Sequence, residues 1–312
     1  MSKAEHDGRA AARRGETAHY DRPWYRSAAG VLERRGLRGL RCLDLCAGNA
    51  EFAEILRDRF AMQVTCADYA PAHLDHQQQL GFDTLAVDLD AGSDEVARVA
   101  GTRAGAFDLV VSLATIEHVF DSDNFLSLCH TVLKPGGLLL VNTPNIAFAG
   151  YRLYSRFSGN RPFGEGHHVR FWDFRFLRTN LFLNGFETEE DARGFYGLPL
   201  DPLTRIFRGR RRLAGVAALP FHLCRVASRL PGCRGWSCDE LTVLARRQEA
   251  APVGFQYPRV LHRMDVLKGS PGFGAALARL AEAQRRGWLR EHLLLNQWIT
   301  ENLLKAEGRN KP

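Results

Sequence analysis

Three short stretches of this chain carry acids and small residues at spacings that suggest a ligand pocket. The first is "LRCLDLCAGNAEFAEIL", residues 40–56. An apolar run holds Asp44, a small-residue turn follows (Cys46-Ala47-Gly48-Asn49-Ala50), and a helical pattern opens on Glu51. A pyrophosphate at such a turn needs close backbone approach and a helix start free of competing charge. A dinucleotide fingerprint would want three glycines where only Gly48 stands, and Glu51 adds a repelling carboxylate. A nucleoside with a positive centre and no phosphate escapes that repulsion. The second stretch, "VTCADYAPAHL", ends a strand-like run at Asp68, twenty residues after Gly48. A carboxylate there accepts from both hydroxyls of a ribose. The third, "LAVDLD", places Asp88 at the end of another run, suited to accept from an exocyclic adenine amine. One small turn and two acids at successive strand ends describe an adenosine pocket without phosphates.

The elements that must position these residues alternate. Strand-like runs at "LRCLDL", "MQVTCAD", "FDTLAVDL", "FDLVVSLA" and "GLLLVNTP" are separated by helical patterns, among them 51–59 and 124–132. Such alternation specifies a mostly parallel sheet covered on both faces, whose ligands bind beyond the carboxyl ends of the strands. "LKPGG" reads as a helix stop and turn. "DSDN" (121–124) reads as an N-cap rather than a calcium-loop fragment. A sixth strand is expected at "GFETEEDAR" and a seventh, antiparallel, at "DELTVLARR". The chain is therefore read as α/β, a Rossmann-like doubly wound seven-stranded sheet. Residues 1–37 form an N-terminal arm, 38–248 the binding domain with a helical insertion over 194–237, and 249–312 a C-terminal helical extension.

Composition sets the outer limits. The chain has 312 residues, 45% hydrophobic and 25% charged, with a net charge of +7, as an ordinary soluble domain would. "MSKAEHDGRAAARRGE" lacks the apolar core of a signal peptide, which reads as cytoplasmic. Seven cysteines, mostly inside apolar runs, read as reduced core thiols. "CLDLC" and "CRGWSC" lack zinc-ribbon spacing, and the dispersed acids assemble no magnesium site, so no metal is expected.

With these pieces in order, the chain resembles a class I S-adenosylmethionine-dependent methyltransferase. The resemblance rests on "LDLCAGNAEFA", "VTCADYAPAHL", "HHVRFWDFRFLRTNLFLNGFE" and, most specifically, "FDLVVSLATIEHVFDSDNFLSLCHTVLKPGGLLLVNTPN". It is similar to the subgroup that contains ubiquinone-biosynthesis-type O-methyltransferases. The similarity covers residues 38–192 and 238–247 and does not reach the C-terminal 64 residues. It implies S-adenosylmethionine as cofactor. Asp44, Ala47 and Gly48 would shape the methionine-end turn, with Asn49 beside them. Asp68, followed by Tyr69, would hold the ribose; Asp88 and Leu89 would border the adenine; Ser112 and Leu113 would face the cofactor from the fourth strand. One departure bears on affinity: the family usually carries glycine where this chain has Cys46 and Ala50.

Methyl transfer from a sulfonium is an in-line displacement that needs alignment, a base for the nucleophile's proton, and exclusion of water. Glu117 and His118, at the fourth strand's end, are the candidate bases; equally, His118 opens a helix and Glu117 is structural or cofactor-facing. Past the glycine-punctuated loop "SGNRPFGEG", His167 or His168 would touch the acceptor and Arg170 would steer an acidic group, with Trp172 close by. Tyr20, Trp24 and Tyr25 either fold over the cofactor as a flap or pack on the sheet. The fourth strand ends in "SLAT", not the Asp/Asn-Pro-Pro-aromatic turn of exocyclic-amine methylases, so a nucleic-acid substrate is not expected. The basic and apolar stretch 205–230 reads either as a solvated face over core or as a peripheral contact with the inner membrane face. The acceptor is expected to be a small molecule, a glycan or a lipid-linked intermediate, and the C-terminal helices to pack or to form a homodimer. The alternative is a catalytically silent binding or assembly subunit. A dehydrogenase is disfavoured by the missing glycines and Glu51.

Overall fold

The computed structural model of the chain describes residues 22–158, 168–194, 219, 222–290 and 292–306. Tyr20, His167 and most of the basic stretch 205–230 lie outside the described residues. Seven strands form one sheet: β1 (Arg41–Leu45), β2 (Gln63–Asp68), β3 (Asp83–Ala86), β4 (Phe107–Leu113), β5 (Leu133–Pro144), β6 (Phe186–Asp191) and β7 (Glu240–Arg247). Their order is β3-β2-β1-β4-β5-β7-β6. Neighbours run parallel except that β7 is antiparallel to both β5 and β6. The order reverses between β1 and β4, which puts the ligand crevice at the ends of those two strands.

The strands are nearly continuous in apolar residues because helices cover both faces. Alternate residues of β4 point opposite ways. Val110 packs with Leu43, Leu139 and Val141 under α5 (Ser122–Val132) and α7 (Phe174–Leu183). Leu109 and Val111 pack with Cys42, Leu138 and Leu140 under α1 (Pro23–Arg34) and α2 (Glu51–Phe60). The stretch expected as the end of an arm is thus a core helix: Ala28, Val31 and Leu32 are fully buried. Three further helices cross between or follow strands, α3 (Pro71–Gln79), α4 (Ser93–Arg103) and α6 (Ala149–Ser158).

Two local details depart from the sequence reading. The "LKPGG" turn is drawn into β5, which starts at Leu133, with a register shift against β4 between Phe107 and Leu109. Gly137 is required there, since a Cβ would sit 2.9 Å from the Lys134 carbonyl oxygen. The third strand stops at Ala86, so Asp88 stands in the following turn rather than on the strand. Asp121 caps α5 as expected, accepting from the Asn124 N–H at 3.0 Å. Of the insertion, 222–227 and Arg234–Ser237 are helical.

The C-terminal helices α8 (Tyr257–Leu267), α9 (Pro271–Arg285) and α10 (Leu293–Ala306) build a separate apolar cluster on the end of α7, including Phe182, Leu183, Val260, Leu280 and Ile299. One buried carboxylate ties this extension to the sheet domain. Asp123 accepts from the Phe255 and Gln256 N–H groups, both at 3.0 Å, and from Asn184 Nδ2 at 3.0 Å. Removing it strands three donors away from water. Asp123→Ala should cost about 3 kcal/mol, read as a lower urea midpoint with faster amide exchange around 253–256; unchanged exchange there would show that the clamp is not what holds the extension.

Candidate functional site

The crevice is organised by an unusual turn. Cys46 and Ala47 N–H groups both donate to the Ala67 carbonyl, at 2.8 and 3.1 Å, which folds the chain back over the end of β2. To do so Cys46, Gly48 and Ala50 adopt left-handed backbone, with φ of 63°, 53° and 63°. That conformation costs a non-glycine residue roughly 1–2 kcal/mol, which is the physical reason glycine is the residue best suited to these three positions. The Cys46 and Ala50 side chains are accommodated nonetheless; Ala50 is fully buried. A Cβ built on Gly48 would meet nothing within 4 Å, so the turn has open space above it.

Acids surround that space. Asp68 accepts from the Gly48 N–H and the Ala70 N–H, both at 3.0 Å, and lies 3.3 Å from His73 Nδ1. Burial alone would raise its pKa, but His73 and the two backbone donors outweigh burial and hold the carboxyl below the usual range. Asp44 is in the opposite condition. Burial, then repulsion from Asp68, pushes its pKa up to about 7, and its Oδ2 is buried without a hydrogen-bond partner. Asn49 Oδ1 is similarly buried and unpartnered. Glu51 is held by the Tyr25 hydroxyl, which donates to Oε2 at 3.0 Å, and by Arg22 at 3.3 Å. Its charge is therefore less exposed to a ligand than the sequence suggested. Tyr25 lies over Phe52 with ring centroids 5.2 Å apart, and Trp24 meets it edge-on. Both belong to α1 and pack beside the turn.

Asp88 is half-buried, its Oδ1 accepting from the Asp90 N–H at 3.1 Å, with half-buried Leu89 between them. Asp90 in turn accepts from the Phe120 N–H at 2.9 Å, joining the turn after β3 to the segment after β4. Ser112 is wholly buried and donates to the Leu45 carbonyl at 3.1 Å, a tie between β4 and β1; Leu113 is half-buried beyond it. Tyr69 follows Asp68 directly and is half-buried.

A second group gathers at the ends of β4, β5 and β7. Glu117 is buried, accepts from Thr143 Oγ1 at 2.9 Å, and its carbonyl receives the Val169 and Arg170 N–H groups at 2.9 and 3.1 Å. Burial raises its pKa to about 7 against the stabilising hydrogen bonds. His118 is exposed, in a turn closed by its N–H on the Thr115 carbonyl at 2.8 Å rather than at the start of a helix, which begins at Ser122. Its ring meets that of His168 edge-on at 4.7 Å. The ligand atoms of Glu117, His118 and His168 lie within 4.8 Å of one another, so the group has the reach of metal ligands as well as of a proton relay. The sequence, read as metal-free, did not announce this. Arg170 donates to the Phe120 carbonyl at 2.6 Å. Trp172, a candidate acceptor contact, is instead 1% exposed and stacked on Phe176 in the core.

Sequence reasoning missed Glu240. It opens β7 opposite Pro144 of β5, and burial, then Asp239 and Glu117, push its pKa well above the ordinary range. Only the antiparallel pairing of two strands far apart in the chain brings it to Glu117, so no local spacing could have signalled it.

Asp44 and Glu117 retain protons in the folded chain at pH values where the unfolded chain has lost them. Folding therefore binds protons between about pH 4 and 7, and stability falls as pH rises through that window. Asp44→Asn should be less sensitive, losing about 2–3 kcal/mol less than the parent between pH 5 and 8. Urea unfolding at the two pH values checks this, and equal losses would show that Asp44 ionises freely in the fold.

The sequence profile of the family described as methyltransferase domain matches residues 18–191, more than half the chain. Curated relatives agree. The chain is 36% identical over 111 residues to the ubiquinone biosynthesis O-methyltransferase of Cereibacter sphaeroides (strain KD131 / KCTC 12085), covering 34% of this chain and 42% of that one. It is 32% identical over 123 residues to the enzyme of the same name from Xanthomonas oryzae pv. oryzae (strain PXO99A), covering 39% and 51%. The chain thus spans about half the length of the curated relatives it matches. Among solved structures, the 1,6-didemethyltoxoflavin-N1-methyltransferase of Burkholderia thailandensis, with bound S-adenosylhomocysteine, superposes at a TM-score of 0.45 with 14% identity, over 80% of this chain and 92% of that one. The turn after β1, the acid ending β2 and the β4-to-β5 segment all fall within the matched region, and the chain belongs to the methyltransferase domain family.

Proposed function

We propose that this protein methylates an oxygen of a small-molecule, glycan or lipid-linked acceptor. The observation that carries the reading is the open turn at Gly48, ringed by the pinned carboxylate of Asp68 and the unpartnered buried oxygen of Asp44. These residues fit the cofactor. Asp68 would accept from the ribose hydroxyls through lone pairs left by its two backbone donors, and Asp44 would meet the positive methionine end. Asp88 and Leu89 would border the adenine. When bound, S-adenosylmethionine supplies an electrophilic methyl on a positive sulfur.

The rest is the work of the chain's own residues. The His118 imidazole, exposed at the end of β4, would take the proton of the acceptor hydroxyl, and His168 would orient that ring from its edge. Glu117 would act as a positioning residue, since its carbonyl holds the backbone of 169–170 next to the two histidines. The choice of oxygen rests on the two curated relatives, both named O-methyltransferases. Calorimetric titration with S-adenosylmethionine, with NAD as the control, tests the pocket. Micromolar binding is expected, weakened at least 100-fold in Asp68→Ala, or about 2.7 kcal/mol. Unaltered binding by a folded Asp68→Ala protein would refute the assignment. A folded parent that binds no cofactor would favour the silent-subunit reading, which the Cys46 side chain in a glycine position supports.

We also propose a peripheral membrane contact. Leu219, Leu223, Val226 and Leu230 follow helical spacing and are 57–63% exposed, with Trp236 nearby at 46%. Arg225 and Arg229 flank them, as on an interfacial segment. No helix of the described residues is long and apolar enough to cross a membrane. The protein should pellet with anionic liposomes at low salt, and Leu223→Glu should reduce the pelleted fraction several-fold; failure of the parent to pellet would dismiss the contact.

A further inference from the structure

A cluster of arginines lies apart from the acids around Gly48. A cavity of about 660 Å³ lies between α1, the carboxyl end of β6 and the 222–237 segment. Five arginines line it, Arg26 and Arg34 from α1, Arg193 after β6, and Arg225 and Arg234 from the insertion. Among the described lining residues two carboxylates face them, and both are engaged. Glu190 takes the Arg34 guanidinium through Nε at 2.9 Å and Nη2 at 2.8 Å, and Asp191 takes Arg193 at 2.6 Å. Among the described residues neither Arg225 nor Arg234 has an acidic partner; Arg234 Nε donates to the Ser228 carbonyl at 3.3 Å.

We propose that this cavity is an anion subsite that receives a phosphate-type group of the acceptor. The guanidinium groups of Arg225 and Arg234, without acidic partners among the described residues and converging with three further arginines on a concave surface, focus a positive field that an anion would neutralise. The arginines approach from three separate elements. A carboxylate is satisfied by one guanidinium fork, whereas a phosphate or diphosphate presents oxygens in several directions and matches forks arriving from several sides. The volume falls in the range of small-ligand sites, enough for a diphosphate and the start of what it is attached to.

The cavity is separate from the adenosine acids but mechanically joined to them. Ser27 in its wall donates to Thr242 Oγ1 at 2.8 Å, and Asn142 Nδ2 donates to the same oxygen at 2.8 Å. Asn142 pairs across the sheet with Leu113, at the end of β4. Tyr25, two residues before Ser27, reaches Glu51 at the cofactor turn. The two charge patterns call for different ligands: acids around Gly48 for a cofactor with a positive centre and no phosphate, arginines here for an anion. That the anion belongs to a methyl acceptor rests on the methyl-transfer reading; that the cavity binds it does not.

Titration of the full chain with inorganic pyrophosphate at low ionic strength tests the subsite. Saturable binding is expected, weakened at least tenfold in Arg225→Ala/Arg234→Ala, about 1.4 kcal/mol, and partly restored in Arg225→Lys/Arg234→Lys. Cofactor binding by the same variants should match the parent, which shows that they fold. No saturable binding by the parent, or equal binding by the alanine variant, overturns the proposal. Asp68→Ala separates the two readings, since it should lose cofactor and keep pyrophosphate; a parent that binds pyrophosphate and no cofactor would leave the subsite standing while the enzyme reading falls. A competition arm identifies the source of the anion. Release of the protein from phosphatidic-acid vesicles by pyrophosphate points to a lipid headgroup in the cavity, whereas pyrophosphate binding without release points to a soluble phosphorylated acceptor.

Discussion

The carboxylate of Asp68 holds the ligand end of this protein together. It ends β2, yet it bonds to the N–H of Gly48 in the turn after β1 and to its own following turn at Ala70. The two Asp68 bonds therefore fix the spacing of the first two strand ends, and with it the position of α2, whose start follows the turn. Everything proposed for the cofactor depends on that spacing. The cost falls on Asp44, whose pKa is pushed up to about 7 first by burial and then by the charge pinned on Asp68. A ligand with a positive centre would relieve this strain, and a phosphate would add to it.

The same logic, with the sign reversed, operates across the sheet. On the far side of α1 the chain spends its two nearby acids on Arg34 and Arg193, and among the described residues Arg225 and Arg234 have no acidic partner. One helix thus separates a region that suits cations from a region that suits anions. α1 is fixed to both: Arg22 just before it and Tyr25 in its first turn reach Glu51, and Ser27 reaches Thr242 in β7.

The C-terminal extension is attached through a different kind of interaction. Its own core is apolar, but its junction with the sheet domain runs through the buried Asp123 carboxylate and an arginine, Arg259, that donates to Asn124 at 2.7 Å and pairs with Asp121. The cap of α5 is therefore also the anchor of the extension. Because α5 follows the Glu117–His118 turn directly, the extension braces the element that carries the candidate base.

What the sequence determined by itself was whatever local pattern encodes. Apolar runs alternating with helical patterns specified a doubly wound sheet, because alternating strands and helices pack as a parallel sheet covered on both faces, and Asp44 and Asp68 were legible as acids near the carboxyl ends of the first two strands. The Asp121 cap was legible for the same local reason. Tertiary structure decided the rest. It turned Trp172 into core, since α7 presses it against Phe176; it moved Asp88 past the end of a strand only four residues long; and it answered Glu51 with Arg22 and Tyr25. It brought Glu240 to Glu117 and assembled the arginine cavity from α1, the end of β6 and the insertion, groups that have no spacing in common along the chain. Charge recognition at those places depends on distances between elements, and a one-dimensional order of residues fixes such distances only after the sheet has chosen its neighbours.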